Sequence, residues 1–186
     1  MSCRKEYEFN PAEWVQYSPF TNRISDIEKT NLAQILKRQF DPTFLMLRKI
    51  VETCPNELWS KESEERPIWI QVYHVAFGID IWFGETKEIK YPDFAKDVTP
   101  IFEDEQHGLL TRQEMLNYLD QISHKVDAFF ERHSASDFLG ESAMYEKYTH
   151  LDSVLEQMRH IMYHVARING IFKYHGYAQI EYTFYS

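Results

Sequence analysis

The chain has 186 residues, 44% of them apolar and 16% aromatic, which suits one domain with a substantial core and excludes a disordered segment. Twenty basic against 29 acidic side chains leave a formal net charge of −9, so nucleic acid and anionic membrane surfaces are poor partners. Two cysteines, Cys3 and Cys54, make neither a disulfide framework nor a C-x-x-C pair; with no apolar run of membrane-span length and no signal-peptide pattern, a reducing cytoplasmic compartment is expected.

Residues 1–25, "MSCRKEYEFNPAEWVQYSPFTNRIS", mix aromatics with Pro11 and Pro19 and lack steady periodicity. They read as an irregular arm with one helical turn after Asn10-Pro11, and Trp14, Tyr17 and Phe20 suggest that it packs on something. Residues 26–186 read as the helical domain. From Ser25 or Asp26 onward, Ile27, Leu32, Ile35, Leu36, Phe40, Phe44, Leu47 and Val51 keep mostly three-and-four spacing, an amphipathic helix ended by Pro55. Pro42 interrupts it and is expected to kink it. The stretch "RPIWIQVYHVAFGIDIWFGE" is apolar nearly all round, which predicts a helix buried on most sides; its length exceeds that of ordinary strands.

Residues 85–110 form a long polar connector. A second amphipathic helix follows, with Met115, Leu119, Ile122, Val126 and Phe129 on one face and Thr111–Glu114 as a capping box. Residues 134–150 read as a polar loop. The last helix runs from about Leu151 to Tyr174, with Gly176 as its stop. The tail "YAQIEYTFYS" reads as a short strand or an extended segment. The expected fold is therefore all-α, a four-helix bundle with a long connector between its second and third core helices.

His160 and His164 stand four apart on the last helix, so both rings share one face. Two imidazoles rarely suffice for a metal, and a catalytic zinc site takes three protein ligands. His74, in the middle of the buried "IQVYHVAFGIDIW", is the best third candidate. Alone, a histidine in such a run is more often a hydrogen-bonded core residue; beside an H-x-x-x-H on another buried helix, the metal reading gains. Other motifs fail. "HIMYH" has Ile161 where H-E-x-x-H needs glutamate, and no Glu-x-x-His pair, G-x-S-x-G or P-loop occurs. His107, His124, His133 and His150 read as solvated or capping residues, His175 as a cation suited to a helix end. "FEDEQ" reads as a solvated acidic loop.

One histidine in "WIQVYHVAFGIDIW" and two in "RHIMYHVARINGIF", after an amphipathic helix that precedes "CPNELW", resemble the DinB/YfiT-like superfamily over roughly residues 28–175. The resemblance implies a four-helix bundle in which His74, His160 and His164 bind a divalent metal at one end of the core; imidazole suits zinc, nickel, copper and iron alike, with zinc the default and nickel the next candidate. It also implies a homodimer and a small-molecule substrate. The activities implied are thiol-dependent S-transfer on a low-molecular-weight thiol, isomerisation or hydrolysis. Many members read Arg-Gly-Gln directly after the last histidine. Here the stretch is "VARING", with Arg167 and Asn169 displaced, which bears on the substrate more than on the ligands.

An ion held by three neutral imidazoles keeps a position open and activates either water or a thiol; the ligands alone do not choose. Arg167, three residues past His164, is a candidate catalytic residue for an anionic substrate, with an ordinary ion pair as its alternative. Glu156, one turn before His160, is a candidate base or fourth ligand, or a solvated acid. Gln71 or Glu156 can orient a ligand ring through its second nitrogen. Tyr73 and Tyr163 are placed in the core. Two classes of function stand: a metal-dependent transferase or hydrolase, and a non-catalytic metal-binding or stress-response bundle.

Overall fold

Each long apolar periodicity becomes a helix. The computed structural model describes residues 32–61, 66–96, 98 and 108–184, all within the unit Leu32–Ser186. The expectations for the N-terminal arm, for Ser25, Asp26 and Ile27, and for His107 and its acidic run lie outside the described residues.

Helix α1 (Leu32–Thr53) buries Leu36, Phe40, Leu47, Ile50 and Val51 along one stripe. It runs unbroken through Pro42, so the proline removes one ladder bond without ending the helix. A single turn, α2 (Asn56–Trp59), follows and buries Leu58 and Trp59; the Trp59 indole N–H donates to the Leu110 carbonyl at 2.7 Å. Helix α3 (Ile68–Trp82) starts after Pro67 and has ten of its fifteen residues buried. It is the buried helix that its all-round apolar pattern predicts.

Helix α4 (Arg112–Arg132) opens with the Thr111–Glu114 capping box. Helix α5 (His150–Tyr174) opens with a second reciprocal cap between Thr149 and Asp152, in which the shorter acid stands where Glu or Gln is usual. It closes at Gly176, φ +78°, where the Tyr177 N–H donates to Phe172 O at 2.9 Å and the Gly176 N–H to Lys173 O at 3.1 Å. This paired closure needs a left-handed residue, which glycine adopts without strain.

The packed pairs among the long helices are α1 with α4 and α5, and α3 with α4 and α5. The all-α bundle is as expected, and the described residues contain no strand. None of their helices is long and apolar enough to cross a membrane. The connector after α3 carries a 3-10 turn, Asp93–Ala95. The stretch between α4 and α5 is the polar, mostly exposed loop expected, with one buried aromatic anchor. Its 3-10 turn, Asp137–Leu139, drives a fully buried Phe138 against Phe129 and Phe130, ring centroids 6.0 Å away in both cases. Polar neighbours in the sequence hid one aromatic anchor. The described part of the tail, residues 177–184, forms no strand; the Asn169 amide holds it by donating to Ile180 O at 3.0 Å and accepting from Ile180 N–H at 2.8 Å.

If the 134–149 stretch is anchored in the core, Phe138→Ala lowers the unfolding free energy by about 3–5 kcal/mol, as buried phenylalanine truncations do. Urea denaturation measures this; a loss of about 0.5 kcal/mol or less is what a surface loop gives.

Candidate metal centre

Helix α3 supplies His74 and the middle of α5 supplies His160 and His164. Ring centroids lie 4.8 Å apart for His74–His160, 5.2 Å for His74–His164 and 5.0 Å for His160–His164. One nitrogen from each ring falls within 4.8 Å of the other two. The helical repeat brings His160 and His164 together; the packing of α3 on α5 brings His74 to them. No carboxylate or thiol of the described residues joins this set.

Gly78, one turn beyond His74, sets the closeness of approach. A Cβ there would lie 3.4 Å from Gln157 Oε1, 3.4 Å from His160 Cε1 and 3.5 Å from His160 Nδ1. An alanine would only touch these atoms, whereas a larger side chain would push the His160 ring. A glycine one turn from a histidine, in an otherwise bulky apolar helix, is the sequence signal for this role.

Burial governs the protonation of the three rings. Desolvation, helped by His160 and Arg66, holds His74 down to about 4. Desolvation, helped by His160, His74 and Arg167, holds His164 down to about 3. Desolvation also lowers His160, with the Glu156 charge acting in opposition. At neutral pH all three are uncharged and keep a lone pair for coordination.

The residues fit a divalent ion. His164 is 8% exposed and its Nδ1 is buried without a hydrogen-bond partner, a costly state for a polar atom unless something else engages it. Zinc–nitrogen bonds of about 2.0–2.1 Å in a tetrahedral site put ligand nitrogens roughly 3.4 Å apart. The rings therefore need to close by roughly 1.4 Å at most from the spacing here.

The other predicted residues fall as follows. Glu156 is half-buried and pairs with Arg159 at 2.7 Å, outside the three-nitrogen set, though its charge acts on His160. Arg167 lies over the Tyr163 ring, 5.6 Å from its centroid, with Nη1 3.4 Å from the Tyr163 hydroxyl. The Gln71 side chain donates from Nε2 to the Arg66 carbonyl at 2.8 Å, and its buried Oε1 has no partner. Tyr73 is in the core. Tyr163 corrects its core placement: it is 57% exposed, because its position on α5 faces outward from both packed neighbours. His133 is a capping residue at the end of α4, one of its two expected roles, and His150 opens α5. Their rings stand 4.5 Å apart against Phe129, and His133 Nδ1 is hydrogen-bonded to Phe129 O at 2.7 Å. Cys54 is buried at the end of α1, and desolvation pushes its thiol up to about 12, so it offers no thiolate at neutral pH. Sequence reasoning missed Gly78, Gln157 and Arg66.

No protein-family model, no curated protein and no solved structure matches the chain. The resemblance to the DinB/YfiT-like superfamily rests on the histidine pattern within its helical context.

Because His74 and His164 hold folded-state values below the ordinary 6.5, the unfolded chain binds more protons than the folded one below that pH. Their contribution to stability is intact above about 6.5 and is lost as pH falls through 6.5 toward the folded values. The urea midpoint of metal-free protein should drop between pH 7 and pH 5, and His164→Leu should flatten that drop. An unchanged slope in the variant would show that His164 is not held neutral by burial.

Proposed function

We propose that this chain is a divalent-metal-binding protein of the DinB/YfiT-like type, with His74, His160 and His164 as the ligands. We further propose that it acts as an enzyme on a small molecule, by S-transfer involving a low-molecular-weight thiol or by hydrolysis. The observation that carries the reading is the convergence of three uncharged imidazole nitrogens from two helices within 4.8 Å. An ion held there supplies Lewis acidity, which makes a weak nucleophile such as water or a thiol reactive at neutral pH.

The ligand count favours catalysis over a structural role. Structural zinc sites close with four protein ligands, catalytic ones keep three and an open position. No fourth histidine, cysteine or acid of the described residues joins this set. The charges of Arg66 and Arg167 reach His74 and His164 respectively, and Arg167 lies over the Tyr163 ring. Among the described residues the one thiol, Cys54, is buried and protonated, so none of them supplies a nucleophilic thiol.

Elemental analysis of untagged protein tests the metal. About one divalent ion per chain is expected in the wild type, lost in His74→Ala and in His164→Ala while circular dichroism still reports helix. A wild type without an ion would remove the proposal. Metal-loaded protein is then incubated with a panel of low-molecular-weight thiols and electrophiles, and with ester and amide substrates. Turnover that falls at least tenfold in Arg167→Ala is expected; bound metal with no turnover anywhere would leave a non-catalytic metal-binding bundle.

A further inference from the structure

Four side-chain polar atoms of the described residues are buried without a hydrogen-bond partner: Gln71 Oε1, Tyr73 O–H, Gln157 Oε1 and His164 Nδ1. Three of them cluster on the metal centre. His164 belongs to it, Gln71 lies one turn before His74, and Gln157 lies one turn before His160. Unpaired buried polar groups are rare in folded proteins and collect where function needs them. Gln157 is the sharpest case. It is 2% exposed, on a helix face where an apolar side chain of the same size would avoid the desolvation cost.

The position of its carbonyl is defined by Gly78. Gln157 Oε1 and the Nδ1 edge of the His160 ring face the same gap, 3.4 Å and 3.5 Å from the place where a Gly78 side chain would begin. Both groups border the space that a Gly78 side chain on α3 would enter. Metal-bound histidines as a rule donate their second N–H to a fixed acceptor, which sets the tautomer and the ring direction. Among these neighbours, Glu156 is already paired with Arg159 and the Gln71 amide is tied to the Arg66 carbonyl. The Gln157 carbonyl is the acceptor without a partner.

We propose that Gln157 is a positioning residue of the metal centre: on metal binding its carbonyl, unpaired in this structure, accepts the Nδ1–H of His160 and leaves Nε2 of that ring for the ion. This rests on the metal-binding reading above. Gly78 belongs to the same device, because a larger residue there would occupy the space in which the amide and the imidazole meet.

The experiment compares wild type, Gln157→Met and Gln157→Glu by zinc affinity, measured in competition with a chromophoric chelator, and by the thermal midpoint of metal-free protein. Gln157→Met is expected to weaken zinc binding by about 10–100-fold, the usual loss for such a partner, with a metal-free midpoint equal to or above that of wild type. Gln157→Glu keeps an acceptor and is expected to bind zinc at least as tightly as wild type. Gln157→Met binding like wild type, or both variants weakening alike, would overturn the assignment. If Gln157→Met fails to fold, long-range 1H–15N spectra of zinc-loaded wild type decide it: His160 protonated at Nδ1 is expected, and protonation at Nε2 would overturn it. A wild type that takes up no zinc overturns the metal reading itself, and is seen before any variant is compared.

Discussion

The closeness of α3 to α5 at Gly78 is the constraint on which the site depends. Three imidazoles from two helices meet only if the backbones approach without a side chain wedged between them. Gly78 leaves that room beside the His160 ring and the Gln157 amide. A glycine in a helix interior costs stability relative to alanine. Here the cost is offset by the surrounding apolar burial of α3, which keeps the helix in place whatever its intrinsic propensity.

The same burial sets the chemistry. Imidazoles in water titrate near neutrality. Set among Val72, Val75, Ile161 and Val165, neighbours in sequence that are all buried, these three are held uncharged, and the nearby arginines reinforce the effect at His74 and His164. The protein gives up hydrogen bonds to keep them so: His164 Nδ1 and the carbonyls of Gln71 and Gln157 are buried without partners. Elsewhere among the described residues, polar groups are capped or paired, as in the reciprocal caps of α4 and α5 and the Lys125–Asp80 ion pair, with the buried Tyr73 hydroxyl the one further exception. Three of the four unmet polar groups thus belong to His164 or to residues one helical turn from His74 and His160.

Periodicity made α1, α4 and α5 readable, because the 3.6-residue repeat is written locally in Leu36, Phe40, Leu47 and in Ile161, Val165, Ile168; α3, apolar all round, was readable by its length. It also made the His160–His164 pair readable, since positions four apart share a face in any helix. Other features depend on what lies opposite. Phe138 looks like part of a polar loop until Phe129 and Phe130 are seen beneath it. Tyr163, beside a ligand in sequence, faces outward because of where α1 and α3 lie around α5. Gln157 carries no motif; its isolation is a property of its neighbours.

The amino-acid sequence by itself thus determined the four long helices, the Thr111–Glu114 cap, the Gly176 stop, the apolar character of α3 and the two histidines one turn apart. Those follow from interactions within a few residues of one another along the chain. The tertiary structure alone decided that His74 meets that pair, that Gly78 admits the meeting and that Gln157 lies unpaired beside it. The physical reason is that helix periodicity fixes which side a residue occupies but not which helix covers that side or at what height. Contacts of that kind come from packing between segments roughly 80 residues apart, a separation no local pattern encodes.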